Sequence, residues 1–191
     1  MISRIDHIAI AVSDYDRAYR FFAELLGAVP GTSSRVDGMN YFWQNLYLGD
    51  LSRLELLRPT GPGSFLEGFL AKKEGGVHHI TLQTPDILKA KAALEKSGIP
   101  YFGYHEYGGN IWKELFIHPK HAFGVLIQIA EFNADDWLAP SVRMPADSKF
   151  DVRKEADGCS ITFAHPGGGT VSIGLSREEA VRLRDRLDAV L

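Results

Sequence analysis

The chain repeats itself, and the repeat limits its architecture more than any local propensity does. Residues 5–30 run Ile-Asp-His-Ile-Ala-Ile, a Val-Ser-Asp turn, the stretch Tyr15 to Leu26, then Gly27-Ala-Val-Pro30. Residues 77–100 keep that order with Val-His-His-Ile-Thr-Leu, Thr-Pro-Asp, Ile87 to Lys96, then Gly98-Ile-Pro100. The first run of each copy is apolar and rich in branched residues, as a buried strand is. The second has helical spacing. Tyr15, Ala18, Tyr19, Phe22, Leu25 and Leu26 recur at three- and four-residue steps, and Ile87 or Leu88, Ala90 or Lys91, and Leu94 do so less cleanly. Asp14 and Asp86 stand where a helix needs an N-cap, and Gly27 and Gly98 where it ends in a left-handed residue.

Further strands are expected after each helix. They are Tyr41 to Leu48 and Arg53 to Leu57 around a Gly49-Asp50 turn, then Ile111 to Ile117 and Gly124 to Ala130 around His118-Pro119-Lys120. The pattern predicts an α+β domain over residues 1–132. It consists of tandem βαβββ modules, about 1–58 and 75–132, that form a curved mixed sheet, with a short helix from Phe65 to Lys72 in the link. Tyr19, Phe21 and Phe22 read as core; Tyr41, Phe42 and Trp43 line or pack the sheet; Lys72 and Lys73 read as solvated.

Residues 133–191 break the pattern and form a C-terminal linker with a hairpin-helix extension. Asn133 to Arg153 is polar and irregular. Ser160 to Ala164 and Thr170 to Leu175 alternate around Pro166-Gly-Gly-Gly169 as a hairpin does. Ser176 and Glu179 make a capping box ahead of an apolar stripe at Ala180, Leu183, Leu187 and Val190. Interaction, dimerisation and a substrate lid are all open roles for this segment.

Inside the repeat, polar residues occupy strand positions that are otherwise apolar, and they do so in register. His7 and His79 share a place in the first strand of each copy; Glu55, in Leu-Glu-Leu-Leu, and Gln128, in Leu-Ile-Gln-Ile, share one in the last. An unpartnered polar group in such surroundings is costly to bury, so something must satisfy these four. Each residue alone reads as an ordinary core or surface group. The match across two copies favours a shared site, in which two imidazoles and two oxygen donors hold a divalent ion and leave positions free. Zn, Co, Ni, Mn and Fe all accept that donor set. His78, by the period of two, is expected on the opposite side of its strand.

Composition narrows the partners. At 191 residues with 45% hydrophobic content the chain can build a real core, and a net charge of -3 with a pI near 6.2 supplies no basic field for nucleic acid or an anionic membrane. Cys159 is the sole cysteine, which excludes an internal disulfide, a thiolate zinc cluster and a C-x-x-C redox pair. With no signal-peptide pattern at Met1 to His7 and no apolar run of spanning length, a cytoplasmic protein acting on a small molecule is expected. A homodimer stays open. No phosphate-binding glycine loop, dinucleotide fingerprint or nucleophile elbow is present.

Several of these stretches resemble the vicinal oxygen chelate superfamily of glyoxalase I, extradiol dioxygenases, fosfomycin-resistance proteins and methylmalonyl-CoA epimerase. The likeness is greatest to the epimerases. It is carried by Ile5-Asp-His-Ile-Ala9, Leu54-Glu-Leu-Leu-Arg-Pro59, Gly75-Gly-Val-His-His-Ile80, Phe116-Ile-His-Pro-Lys120 and Gly124-Val-Leu-Ile127. It covers residues 4 to 132 and leaves the tail without a counterpart.

The resemblance implies a glyoxalase-like fold and a metal at His7, Glu55, His79 and Gln128, with two open positions that chelate adjacent oxygens of a small acyl-CoA or 2-oxo substrate. It implies isomerase or lyase chemistry through an enolate, with Glu55 as a catalytic base. Two positions depart from the pattern. Such epimerases usually carry glutamate where Gln128 stands, and Gln44 falls near the place of an extra glutamate used as base; an amide accepts no proton. The second proton carrier is sought among His105, Glu106, Glu114 and His118, although each reads more simply as a loop, turn or solvated strand residue. A glyoxalase I-like lactoylglutathione lyase, an Fe(II) dioxygenase and a ligand-sequestering protein of the bleomycin-resistance type are the alternatives.

Overall fold

The structure is a computed structural model that describes residues 1–48, 52–108, 111–138, 143–145, 147–165 and 168–191. The expected turns at Gly49-Asp50 and Pro166-Gly167 lie outside the described residues. The chain divides into two compact units, Met1–Phe132 and Asn133–Leu191.

In the first unit the elements run β1 (Arg4–Val12), α1 (Tyr15–Tyr19), β2 (Val29–Val36), β3 (Tyr41–Tyr47), β4 (Arg53–Pro59) and α2 (Leu66–Leu70), then β5 (Gly75–Gln83), α3 (Ile87–Lys96), β6 (Phe102–Tyr107), β7 (Trp112–Ile117) and β8 (Leu126–Glu131). The strands make one curled eight-stranded sheet in the order β2-β3-β4-β1-β5-β8-β7-β6. β1 pairs parallel to β4 and β5 parallel to β8; β1 runs antiparallel to β5, and this ladder joins the two copies.

The helix signals act as expected. Asp14 accepts the Arg17 N–H at 3.0 Å and Asp86 the Lys89 N–H at 2.9 Å. Gly27 and Gly98 take φ of 77° and 65°, a region that costs other residues strain. The span read as a helix from Tyr15 to Leu26 is α-helical only to Tyr19; Arg20–Leu25 winds as a π-helix, and Leu26 N–H reaches Phe21 C=O. The wider coil leaves Phe21 49% exposed, which corrects its reading as core, while Tyr19 and Phe22 pack with Ala28, Leu46 and Leu56.

Strand alternation then decides which face is free. Leu54 and Leu56 pack in the cluster under α1, and Ile127 and Ile129 in the one under α3, with Ile87, Ala90 and Leu94. Glu55 and Gln128, between them, therefore point to the other face of the sheet. Ala9, Ala11, Leu57 and Leu66 form a third cluster with Tyr41 and Trp43. The β1–β5 ladder carries two bulges that leave Asp6 and His78 without a paired residue.

The second unit is a three-stranded sheet in the order β11-β10-β9 with one helix; its elements are β9 (Phe150–Glu155), β10 (Gly158–Ala164), β11 (Thr170–Ser176) and α4 (Arg177–Asp188). The Ser176–Glu179 capping box forms. The stretch read as irregular to Arg153 contains β9, which corrects the hairpin to three strands. Only Phe150 and Val152 alternate before the charged run Arg-Lys-Glu, so its pairing with β10 rather than its own pattern defines the strand. Among the described residues no helix is long and apolar enough to cross a membrane.

Candidate metal centre

Four adjacent strands, β4-β1-β5-β8, each contribute one member of the expected quartet. His7 Nε2 lies 3.6 Å and His79 Nε2 3.9 Å from Glu55 Oε2, and one donor atom from each of the three falls within 4.8 Å of the others. Gln128 joins through a hydroxyl: Thr81 donates to Gln128 Oε1 at 2.5 Å, and its Oγ1 lies 2.9 Å from His7 Nε2. His7, His79 and Gln128 are 4%, 7% and 7% exposed, so the cluster is shielded from water.

This donor set fits a divalent ion. Two donors each about 2.1 Å from a metal lie roughly 3.0–4.2 Å apart as the angle between them opens from about 90°. The Glu55 distances to both imidazoles fall in that range. A site of two nitrogens, a carboxylate and an amide oxygen suits the borderline metals from Mn to Zn.

Residues behind the quartet fix its orientation. Asp6 Oδ2 lies 2.7 Å from His7 Nδ1, and Asp6 Oδ1 accepts from both Arg4 and Arg53. Burial alone would raise the Asp6 carboxyl; the hydrogen bond from His7 and the charge of Arg53 outweigh it and hold it below the ordinary value. His7 Nδ1 thus faces a carboxylate, and Nε2 is turned toward Glu55. Arg53 is itself buried, with its guanidinium 5.6 Å from the Phe132 ring centroid and 5.9 Å from that of Tyr47.

His78 plays the matching part beside His79. Its Nδ1 lies 2.9 Å from His79 Nδ1, and Phe65 and Phe69 pack against its ring. This corrects the expectation that His78 faces away, because the bulge at His78 interrupts the alternation. Burial, and after it the neighbouring His7 and His78, push His79 well below its usual pKa; burial and Lys73 lower His78. Both rings are therefore neutral at pH 7, the state in which an imidazole can bind a metal. Burial raises the Glu55 carboxyl, although His7 opposes it.

Of the four residues considered as a second proton carrier, Glu114 reaches the quartet. Gln128 Nε2 donates to Glu114 Oε2 at 2.6 Å. Glu106 accepts from the Tyr104 hydroxyl, His105 packs on Tyr107, and His118 accepts the Lys120 N–H. Gln44 accepts from Tyr15 and donates to Gly31 C=O, on the face that α1 covers. Tyr41 and Trp43 pack with Leu57 on the site face, whereas Phe42 meets Tyr15 on the other. Asp6, Arg53, Thr81 and His78 were not legible as site residues. The polar doublets Asp6-His7 and His78-His79, at one place in both copies, were the available signal.

A sequence profile of the Glyoxalase/Bleomycin resistance protein/Dioxygenase superfamily matches residues 6–116. The chain belongs to this superfamily. Curated superfamily relatives include the ethylmalonyl-CoA/methylmalonyl-CoA epimerase of Cereibacter sphaeroides, 35% identical over 69% of this chain and 99% of that protein. The human mitochondrial methylmalonyl-CoA epimerase is 34% identical over 68% of this chain and 74% of its own length. Among solved structures, methylmalonyl-CoA epimerase from Mycobacterium tuberculosis superposes with a TM-score of 0.63 at 26% identity, over 69% of this chain and 89% of that one. A methylmalonyl-CoA epimerase in complex with methylmalonyl-CoA and NH4+ gives 0.62 at 29% identity, over 70% and 97%.

Proposed function

We propose that the protein is a metal-dependent epimerase of a branched acyl-CoA of the methylmalonyl type, working through an enolate. The observation that carries this reading is the convergence of His7, Glu55 and His79 from both halves of the sheet onto one buried focus. The epimerase relatives supply the substrate class. A divalent ion would be held by His7 Nε2, Glu55, His79 Nε2 and the Gln128 carbonyl, and would supply Lewis acidity for enolate stabilisation.

The chain's own groups do the rest. Asp6 engages His7 at Nδ1 and His78 engages His79 at Nδ1, so both Nε2 atoms are turned toward the focus. Glu55 is the quartet member able to take a proton from carbon, and its raised pKa moves it toward the operating pH. Tyr41 keeps its phenolic proton, because burial and the nearby Glu55, Tyr107 and Glu114 raise its pKa, and it offers a donor beside that carboxylate. The packed rings of Tyr41 and Trp43 limit water at this face.

The test is deuterium uptake from solvent at the carbon alpha to the thioester of methylmalonyl-CoA, with protein loaded with Co(II), Zn or Mn. Exchange that disappears in a His7→Ala, His79→Ala variant supports the reading; absence of exchange with every metal overturns it. A second reading follows from the neutral Gln128: two histidines with a single carboxylate is also the donor set of Fe(II) oxygenases. Oxygen consumption by the Fe(II)-loaded protein with catechols would select that one.

A further inference from the structure

We propose that Glu114 is a positioning residue that sets the Gln128 amide with its carbonyl toward the metal focus. The inference rests on the metal-binding reading above. A glutamine is ambiguous as a ligand, because one end of its amide carries lone pairs and the other only protons. Whichever end faces the imidazoles decides whether Gln128 can coordinate at all.

Here the surroundings decide it. Gln128 Oε1 accepts the Thr81 hydroxyl at 2.5 Å, on the side where Thr81 also meets His7. Gln128 Nε2 donates to Glu114 Oε2 at 2.6 Å. Flipping the amide would set its oxygen against the Glu114 carboxylate and turn its N–H groups toward the imidazoles, so both ends favour one orientation.

Glu114 is itself anchored, which makes it a reference point rather than a mobile surface group. The Trp112 indole N–H, which can only donate, reaches its Oε2 at 2.8 Å, and the Tyr107 hydroxyl donates to its Oε1 at 3.2 Å. In the β7–β8 ladder Phe116 pairs with Gln128 and Glu114 with Ala130, so Glu114 is the diagonal neighbour of Gln128 on one sheet face. The pair divides between two strands what one carboxylate ligand would supply: an oxygen donor at the focus and an anionic charge just behind it.

The test is Co(II) affinity, by competition with a chromophoric chelator, together with the visible spectrum of the bound ion. The parent, Glu114→Gln, Glu114→Ala, Gln128→Ala, the double alanine variant and the exchange pair Glu114→Gln, Gln128→Glu are compared. Glu114→Ala is expected to weaken binding by about 10- to 100-fold and to alter the spectrum. The double alanine variant should be no weaker than Gln128→Ala, since Glu114 acts through that residue. Glu114→Gln, which keeps an acceptor of the same shape, should lose less, and the exchange pair should regain parental affinity. An affinity within twofold of the parent in folded Glu114→Ala, or additive losses in the double variant, overturns the positioning role alone. A parent chain that binds no Co(II) overturns the metal reading and this inference together.

Discussion

The Nδ1 atoms of His78 and His79 lie 2.9 Å apart, held there by a bulge that has a twin at Asp6 and His7. In each half the residue before a quartet histidine turns inward and engages its Nδ1, leaving Nε2 for the focus. The two partners differ in charge. Asp6 is an anion braced by Arg4 and Arg53, and its partner ring is the stronger electron donor for it; His78 is a neutral ring in an aromatic pocket.

Asp6→Asn is expected to damage both metal binding and the fold. An asparagine can still accept from His7, but Arg53, 6% exposed, is left as a buried charge without its anion. The loss is about 3–5 kcal/mol of stability and roughly 10- to 100-fold in metal affinity, read by urea unfolding and chelator competition. A variant as stable as the parent would show that Arg53 does not depend on Asp6.

His78→Ala removes a neutral partner only. His79 Nδ1 loses its hydrogen bond at a cost of about 1–3 kcal/mol, and metal affinity falls by less than in Asp6→Asn. The reverse ranking in chelator titrations would contradict the charge argument.

Acid should find Asp6 early among the causes of unfolding. Its folded pKa lies below the usual 3.8, so its contribution to stability is present above pH 3.8 and is lost as pH falls through the lower folded value. Urea midpoints of the parent should fall steeply across that interval, and those of Asp6→Asn should be flatter there. Equal slopes would remove Asp6 from the acid limb.

Stripping the metal should lower the melting temperature, because the donors of the proposed site come together only in the folded chain. At a free metal concentration a thousandfold above Kd the difference is about 4 kcal/mol. Thermal scans with and without chelator measure it, and the His7→Ala, His79→Ala variant should show no shift.

The histidines, Glu55 and Gln128 were visible in the sequence because a polar residue at an apolar strand position is conspicuous twice over in a repeat. Asp6 and His78 were not, although they stand next to those histidines. A bulge depends on which residue lies across the ladder, and a period of two within one strand holds no record of that. Glu114 was in view only as a possible proton carrier: alternation makes it a solvated strand residue, and only the β7–β8 register brings it diagonally onto Gln128. The turn signals around α3 left nothing to correct, since Asp86 and Gly98 fix both of its ends locally. The π-wound segment after Tyr19 has no comparable local mark.

His7 and His79 stand on the two strands of the single ladder that joins the copies. An ion held from both sides of that seam would work as a clasp. Loosening either half would cost it ligands, so its affinity would depend on both strands keeping their register.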